Sequence, residues 1–522
     1  MAAALGVAEP PSARGIGADG RDGDHSGTAG SLESDVKRSV GNALKLGLSL
    51  LATWAIALGI RLLLPRYLGP ASFGALQFAD AFTTTIFIVT NLGVETYVRK
   101  EIATRREHAS EFFAGTMLLG LALGALVMVI TIPSLSMAGK TEVVIRLVVI
   151  LGVAQILANI NIILGALLHA VGNVGGLSVL NVGAKLAWGA GIALVLSRGM
   201  GAQSVAVAML VTEMIRAGGL AALARRHLQL RLVVDMRATL AVLIASLPYY
   251  LAALAQTAYG RIDISIMSFL TNDVEVGWYA AAAAIGGISM LLAPLIGWVV
   301  LPLTSRAAER SVEELLIVGR RAMEVILAAA FPVTLFIGLG AADIVSIAFG
   351  DAFEPATHSL RILAPTFVLT YAAMVNASIL VRLERGWWVT GVSVAGMIVA
   401  PALNLWLVPL TLRTYGEGGA GIGAAISLVL TEIVTASALT WPIGRRAFDR
   451  RLVTLLAKTI VCCVVVMAVD ALLQRLGLWR FVVDGLLYAA LVTGTGAVDV
   501  RTGLQYARKE LAQRRAARTA TA

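Results

Sequence analysis

The sequence predicts an all-α, polytopic membrane protein of about fourteen transmembrane helices, built as two six-helix lobes followed by two C-terminal helices. Three observations predict it. Of 522 residues, 58% are hydrophobic and 14% charged, against roughly 25% charged in an average soluble domain, so an ordinary soluble globule is excluded. Apolar runs of spanning length recur from about residue 41 to about 498 with no polar block between them. Short motifs in the first six runs reappear in order in the next six.

The elements follow along the chain. Residues 1–38 are rich in Gly, Ser and Asp and lack a long apolar core, so they read as a disordered, uncleaved cytoplasmic tail. Spanning segments are expected at about 41–64, 75–98, 112–137, 143–168, 175–197 and 202–224, making an N-terminal lobe over 39–229. Six more at 240–270, 278–303, 322–342, 359–381, 387–410 and 419–441 make a C-terminal lobe over 230–444. Segments 452–474 and 479–498 form a separate pair over 445–500, and 501–522 is a basic cytoplasmic tail. Between segments six and seven, RRHLQLRLVVDMRA mixes Arg with Leu and Val, as a link lying along the inner membrane interface does.

Lys and Arg give the orientation. With the N-terminus inside, 26 of them fall in inner connections and tails, against 7 outside: Arg61, Arg66, Lys140, Arg198, Arg413, Arg475 and Arg480. This bias places the protein in the cytoplasmic (inner) membrane with both termini cytoplasmic. It also accounts for the net charge of +10, so no nucleic-acid partner is expected.

The repeat shows at two places. AVAMLVTEMI in segment six matches AISLVLTEIV in segment twelve, setting Thr212–Glu213 against Thr431–Glu432. YLGPASFGALQFADA matches FLTNDVEVGWYAAAA ahead of segments two and eight, setting Gly74 against Gly277. Both halves begin on the same side, so the repeats are parallel, an architecture used by transporters.

RYLGPASFG, GVETYVRKEIATRREHASEF, NDVEVGWYAAAAAIGG, PALNLWLVPL and GAGIGAAISLVLTE together resemble the polysaccharide-export flippases of the multidrug/oligosaccharidyl-lipid/polysaccharide superfamily, over about residues 39–500. The resemblance implies a MATE-like fold: two six-helix lobes around a central cavity, with two extra helices at the end. It implies a flippase that moves a lipid-linked oligosaccharide, on a polyprenyl pyrophosphate carrier, between leaflets for cell-surface polysaccharide synthesis by alternating access. Membrane lipids and other polysaccharide-assembly proteins are its implied partners. The family's usual basic residue after helix four is replaced here by LLHAVGNVGG, where His169 alone is titratable.

The sequence's own chemistry lies in charges at membrane depth, each costing at least ~2.5 kcal/mol on insertion scales and so turned inward to a partner or ligand. Arg261 falls near the midplane of segment seven, and Asp263 projects about 200° away, so the two need different partners. Arg61 and Asp80 have similar depth and are candidates to bridge; Glu213 and Arg216 are spaced i, i+3 and are candidates to pair in their own helix. One reading makes Arg261, Lys185, Arg61 and Arg216 a cationic cavity for pyrophosphate, with Asp263, Asp80 and Glu432 as ion-coupling or switch residues. The other makes the same charges interhelical glue. Gln155, Asn159, Asn161, Asn181, Gln256 and Asn376 either line a sugar path or hydrogen-bond across helices.

No catalytic, cofactor or metal site is expected, and the chain does not read as an enzyme. GIGADG lies in the tail and GEGGAG (Gly416, Gly418, Gly421) in an outer loop, neither after a strand, so neither reads as a dinucleotide site. GKT at 139–141 has Ser134 in place of a phosphate loop's first Gly. The five histidines are scattered without ligand spacing, and Cys462 and Cys463 adjoin within an apolar run. Two rival classes remain: a drug or cation antiporter of the same superfamily, which prefers acidic cavities, and a polytopic polymerase or glycosyltransferase, which needs a large outer catalytic loop.

Overall fold

A computed structural model describes residues 57–95, 98, 109–171, 174–227, 234–287 and 300–496. The terminal tails and most of the link between segments six and seven lie outside these residues. Every described regular element is helical, and each of the fourteen predicted segments falls at least partly on helix. Among the described residues, ten helical stretches are long and apolar enough to cross a membrane. Two of them, Ala57–Asn91 and Arg450–Gly494, each carry two of the predicted segments.

The first half contains α1 (57–86), α2 (Ala109–Met137), α3 (Glu142–Ala170), α4 (Val174–Ser197) and α5 (Ala202–His227). Helical hydrogen bonding continues through 57–86, but Gly69 takes a left-handed φ of +72°, which interrupts the α-helical path and separates segment one from segment two. Segment two departs from the expected span of 75–98. It tightens into a 3-10 turn at Phe87–Asn91 and passes through left-handed Leu92 and Gly93. Gly93 is needed there, since a Cβ would lie 2.5 Å from the Tyr250 backbone N.

The second half contains α6 (Met236–Leu270), α7 (Asp273–Gly286), α8 (Leu301–Arg310), α9 (Val312–Leu339), α10 (Ala341–Phe349), α11 (Ala356–Leu363), α12 (Thr366–Arg382), α13 (Gly386–Tyr415) and α14 (Gly419–Thr440). Side-chain caps start several of them. Asp235 accepts from the Arg237 and Ala238 N–H groups at α6, Asn272 from Glu275 at α7, and Ser311 from Glu314 at α9. Expected segment ten is two helices, α11 and α12, meeting at Ala364–Pro365, because Pro365 has no N–H to continue the ladder. The connection between expected segments nine and ten contains most of α10. A hairpin of α15 (Arg450–Leu473) and α16 (Arg480–Gly494) closes the described chain, reversing through a 3-10 turn with Gly477 at φ +58°.

Packing partners repeat between halves. In the first, α5 packs on α3 and α4; in the second, α14 packs on α12 and α13. The buried core has an unequal layout along the bundle. At the end that the charge bias assigns to the outside, one cluster joins both halves through Phe73, Phe78, Leu147, Tyr279, Phe353 and Leu360. Toward the opposite end it gives way to two clusters. One, around Val94, Phe113, Leu167 and Leu220, belongs to the first half with Val242 of α6. The other, around Leu316, Met323, Leu380, Leu439 and Leu452, belongs to the second.

Candidate functional site

The sealed end is built on glycine. A Cβ on Gly74 would lie 1.8 Å from the Asp273 carbonyl oxygen, and one on Gly277 would lie 2.0 Å from that of Pro70. Pro70 and Asp273 stand 203 residues apart, the same offset that relates Gly74 to Gly277. Each half thus presents the same two positions to the other, and the backbones touch where only hydrogen fits.

Charged groups close around this crossing. The Lys140 ammonium donates to the Ser268 Oγ at 2.8 Å and lies 4.8 Å from the Phe78 ring centroid and 4.9 Å from that of Phe269. Burial lowers its pKa, with Asp273 opposing. Glu275, 3% exposed, accepts from the Gly418 N–H at 2.7 Å and the Ala420 N–H at 3.2 Å. Burial raises its carboxyl above the usual range, against the pull of those N–H groups. The glycine turn GEGGAG therefore cradles an anion, and the anion is the protein's own carboxylate. Trp278 Nε1 donates to the Ala352 carbonyl, and Arg66 Nη1 donates to that of Ile347.

The intramembrane charges lie below this seal. Arg261 of α6 donates to Asp80 of α1 at 2.6 Å, the two side chains being 32% and 26% exposed. Arg61 is the candidate partner of Asp80 by depth, but Arg261, reaching across from the second half, forms the bridge instead. Arg61 stays solvent-accessible, an electrostatic neighbour of Arg261 and Asp80, with Nη1 3.4 Å from where a Gly287 Cβ would stand. Lys185 of α4 lies 4.0 Å over the Trp188 ring, and its electrostatic neighbours are Arg61, Glu213 and Arg216. Four basic residues from both halves therefore form a continuous series with Asp80 and Glu213 interspersed.

Glu213 and Arg216 pair within α5 at 3.8 Å, as their spacing predicts, while Asn161 of α3 donates to the same Glu213 carboxylate at 2.8 Å. The Arg216 Nε is buried without a hydrogen-bond partner. Asp263 stands apart from Arg261's bridge: it accepts from the Tyr279 hydroxyl and from the Ile264 N–H. Glu432 is 7% exposed in α14, the helix packed among α11, α12 and α13. Asn159 donates to Thr90 and Asn376 to Thr440, so with Asn161 these amides serve as interhelical bonds. The Gln256 side chain lies outside the described residues, and no cluster of metal-ligating side chains occurs among those described.

Sequence reasoning missed Lys140 and Glu275. Lys140 was counted only as an outer-loop charge, and Glu275 lay unnoticed inside a quoted motif. The repeat did carry the signal for the glycine crossing, since Gly74 and Gly277 align in it.

Comparison with known proteins follows the same line. Residues 39–308 match the family described as "Polysaccharide biosynthesis protein". Over 187 residues the chain is 22% identical to Agl15 of Haloferax volcanii, a probable low-salt glycan biosynthesis flippase; the match spans 35% of this chain and 38% of that relative's length. The fold superposes on the lipid II flippase MurJ, in an inward closed conformation, with a TM-score of 0.68 at 12% identity, covering 88% of this chain and 99% of that one. It superposes on an inward-facing MATE multidrug resistance transporter of the MOP superfamily with a TM-score of 0.61 at 18% identity, covering 78% and 98%.

Proposed function

The chain belongs to the polysaccharide biosynthesis protein family, and from that premise we propose that it flips a lipid-linked oligosaccharide, on a polyprenyl pyrophosphate carrier, across the cytoplasmic membrane. The observation that carries the reading is the layout of the core: one shared cluster at one end and two distinct clusters at the other, one of the first half with the start of α6 and one of the later helices, with basic residues of both halves between. That is the form of a carrier closed on one side and divided on the other. Residues 39–229 and 230–444 are its lobes, 445–500 an added hairpin, and both termini face the cytoplasm, so the closed end is external.

Within this reading the pyrophosphate enters from the cytoplasmic side to Arg61, Lys185, Arg216 and Arg261. The Asp80–Arg261 bridge joins the lobes, so an arriving pyrophosphate competes with Asp80 for Arg261 and alters a contact that spans them. Differential affinity of the two states for the ligand then drives the lobes from one state to the other. Asp80, Asp263 and Glu432 are the ion-coupling or switch residues of this proposal, and membrane lipids and other polysaccharide-assembly proteins are its partners. The test is a deletion strain. Lipid-linked oligosaccharide should accumulate and surface polysaccharide should fall, with drug tolerance unchanged; lost drug tolerance with normal polysaccharide would replace this reading with an antiporter.

A further inference from the structure

Asp484 of α16 is a buried group that the site between the halves does not use. It is 0% exposed, and neither carboxyl oxygen meets a hydrogen-bond donor. Its side-chain neighbour is Asp470 of α15, itself 5% exposed. Arg480, one turn earlier on α16, is committed elsewhere. Its Nη2 donates to Asp343 at the start of α10, and its Nε lies 3.3 Å from Asp470 Oδ1 without the alignment of a hydrogen bond.

Among the described residues the surrounding surfaces bring no second cation. The adjoining cluster includes Leu335 and Leu339 of α9, Val466 of α15 and Val492 of α16, with Cys462, Cys463 and Tyr488 as its titratable groups. Lys458 donates to the Thr495 carbonyl at the far end of the hairpin, and Arg475 is exposed in the turn. Three carboxyls thus share one guanidinium. Two ionised carboxylates have only acceptors, so the Asp470–Asp484 contact becomes a hydrogen bond when one of them carries a proton. Without it, Asp484 is a buried anion with no donor, an arrangement that folded proteins avoid.

We propose that Asp470 and Asp484 are a proton-binding site, one proton held between two carboxyls, and that its occupancy holds α15–α16 against α9–α10. Asp484 donates to Asp470, and Asp470 keeps its charge beside Arg480. The site stands independently of what the protein carries.

The test uses the full-length protein in lipid nanodiscs. Infrared spectra at mildly acidic pH should show the carbonyl stretch of a protonated carboxylic acid that fades as the pH is raised, diminished in both D484N and D470N. An Asn at 484 donates N–H to Asp470 without a proton, so D484N should fold and lose the pH dependence of thermal stability. While the folded wild type still holds the proton that the unfolded chain has lost, linkage multiplies the unfolded-to-folded ratio about tenfold per pH unit relative to D484N, and the slope levels off once the folded site releases it. A wild-type acid band that both variants leave unchanged overturns the proposal. So does a D484N pH profile parallel to the wild type, or stabilisation by sodium over choline with no acid band, which would make the ligand a metal cation.

Discussion

The glycine crossing gives the sharpest mechanical prediction. In G74A the new methyl would stand 1.8 Å from the Asp273 carbonyl oxygen, where ordinary van der Waals contact begins near 3.4 Å. The α1 and α7 backbones must part by more than an ångström, and neither atom belongs to a side chain able to swing aside. Overpacking of this kind costs about 1–3 kcal/mol, and it falls on the closed end alone. If the two lobes part there during transport, the balance shifts toward the externally open state by roughly 5- to 150-fold. The assay places a reporter at Leu76→Cys, 1% exposed in the sealed end, with Cys462 and Cys463 changed to Ala. Labelling by an impermeant maleimide on intact cells should speed up in G74A and, by symmetry, in G277A. Unchanged labelling of normally abundant G74A, with full export, would refute the claim that this crossing is a gate.

Three further outcomes follow. R261A should abolish export at near-normal protein abundance, since Arg261 and Asp80 are 32% and 26% exposed and their bridge contributes little to folding; R261K should keep part of the activity, and recovery of protein level in R261A/D80N would instead assign the pair to structure. Cysteines at Ser197 and Ser311 should label from outside and only after lysis, respectively; equal labelling of both in intact cells would sink the topology. Because burial raises Glu275 in the closed end, that end holds a proton more readily than the open one, so closure should weaken as pH rises through the window above the usual carboxylate value of about 4.3. Labelling of L76C, taken relative to an always-exposed cysteine so that thiolate formation cancels, should therefore rise with pH over that window, and the same ratio should be flat in E275Q.

The sequence showed a great deal of this architecture because a membrane makes composition explicit. Apolar length alone located the segments. It could not show where segment two tightens at Phe87–Asn91, which depends on packing against other helices, or that Pro365 ends a helix while Pro133, Pro332, Pro401 and Pro409 sit inside continuous ones. For the site, depth and helical phase foretold that Arg261 and Asp263 would take different partners, and spacing foretold the Glu213–Arg216 pair. Depth did not tell Arg61 from Arg261 as the partner of Asp80, because both reach the same level from different helices. Glu275 was hidden for another reason: its partners are backbone N–H groups of a turn 143 residues away, and sequence marks no backbone donor. The Asp470–Asp484 contact was hidden likewise, as neither spacing nor depth tells that two carboxyls on successive helices face each other.

The central claim is movement of a lipid-linked glycan, and reconstitution measures it most directly. Proteoliposomes would carry the purified protein and a polyprenyl-pyrophosphate oligosaccharide in both leaflets, with an impermeant glycosidase added outside. Wild-type protein should expose nearly all of the glycan to digestion, while R261A vesicles should stop at the outer-leaflet share, as protein-free vesicles do. Digestion by wild-type vesicles that halts at that same share, with the protein folded and correctly inserted, would contradict the account.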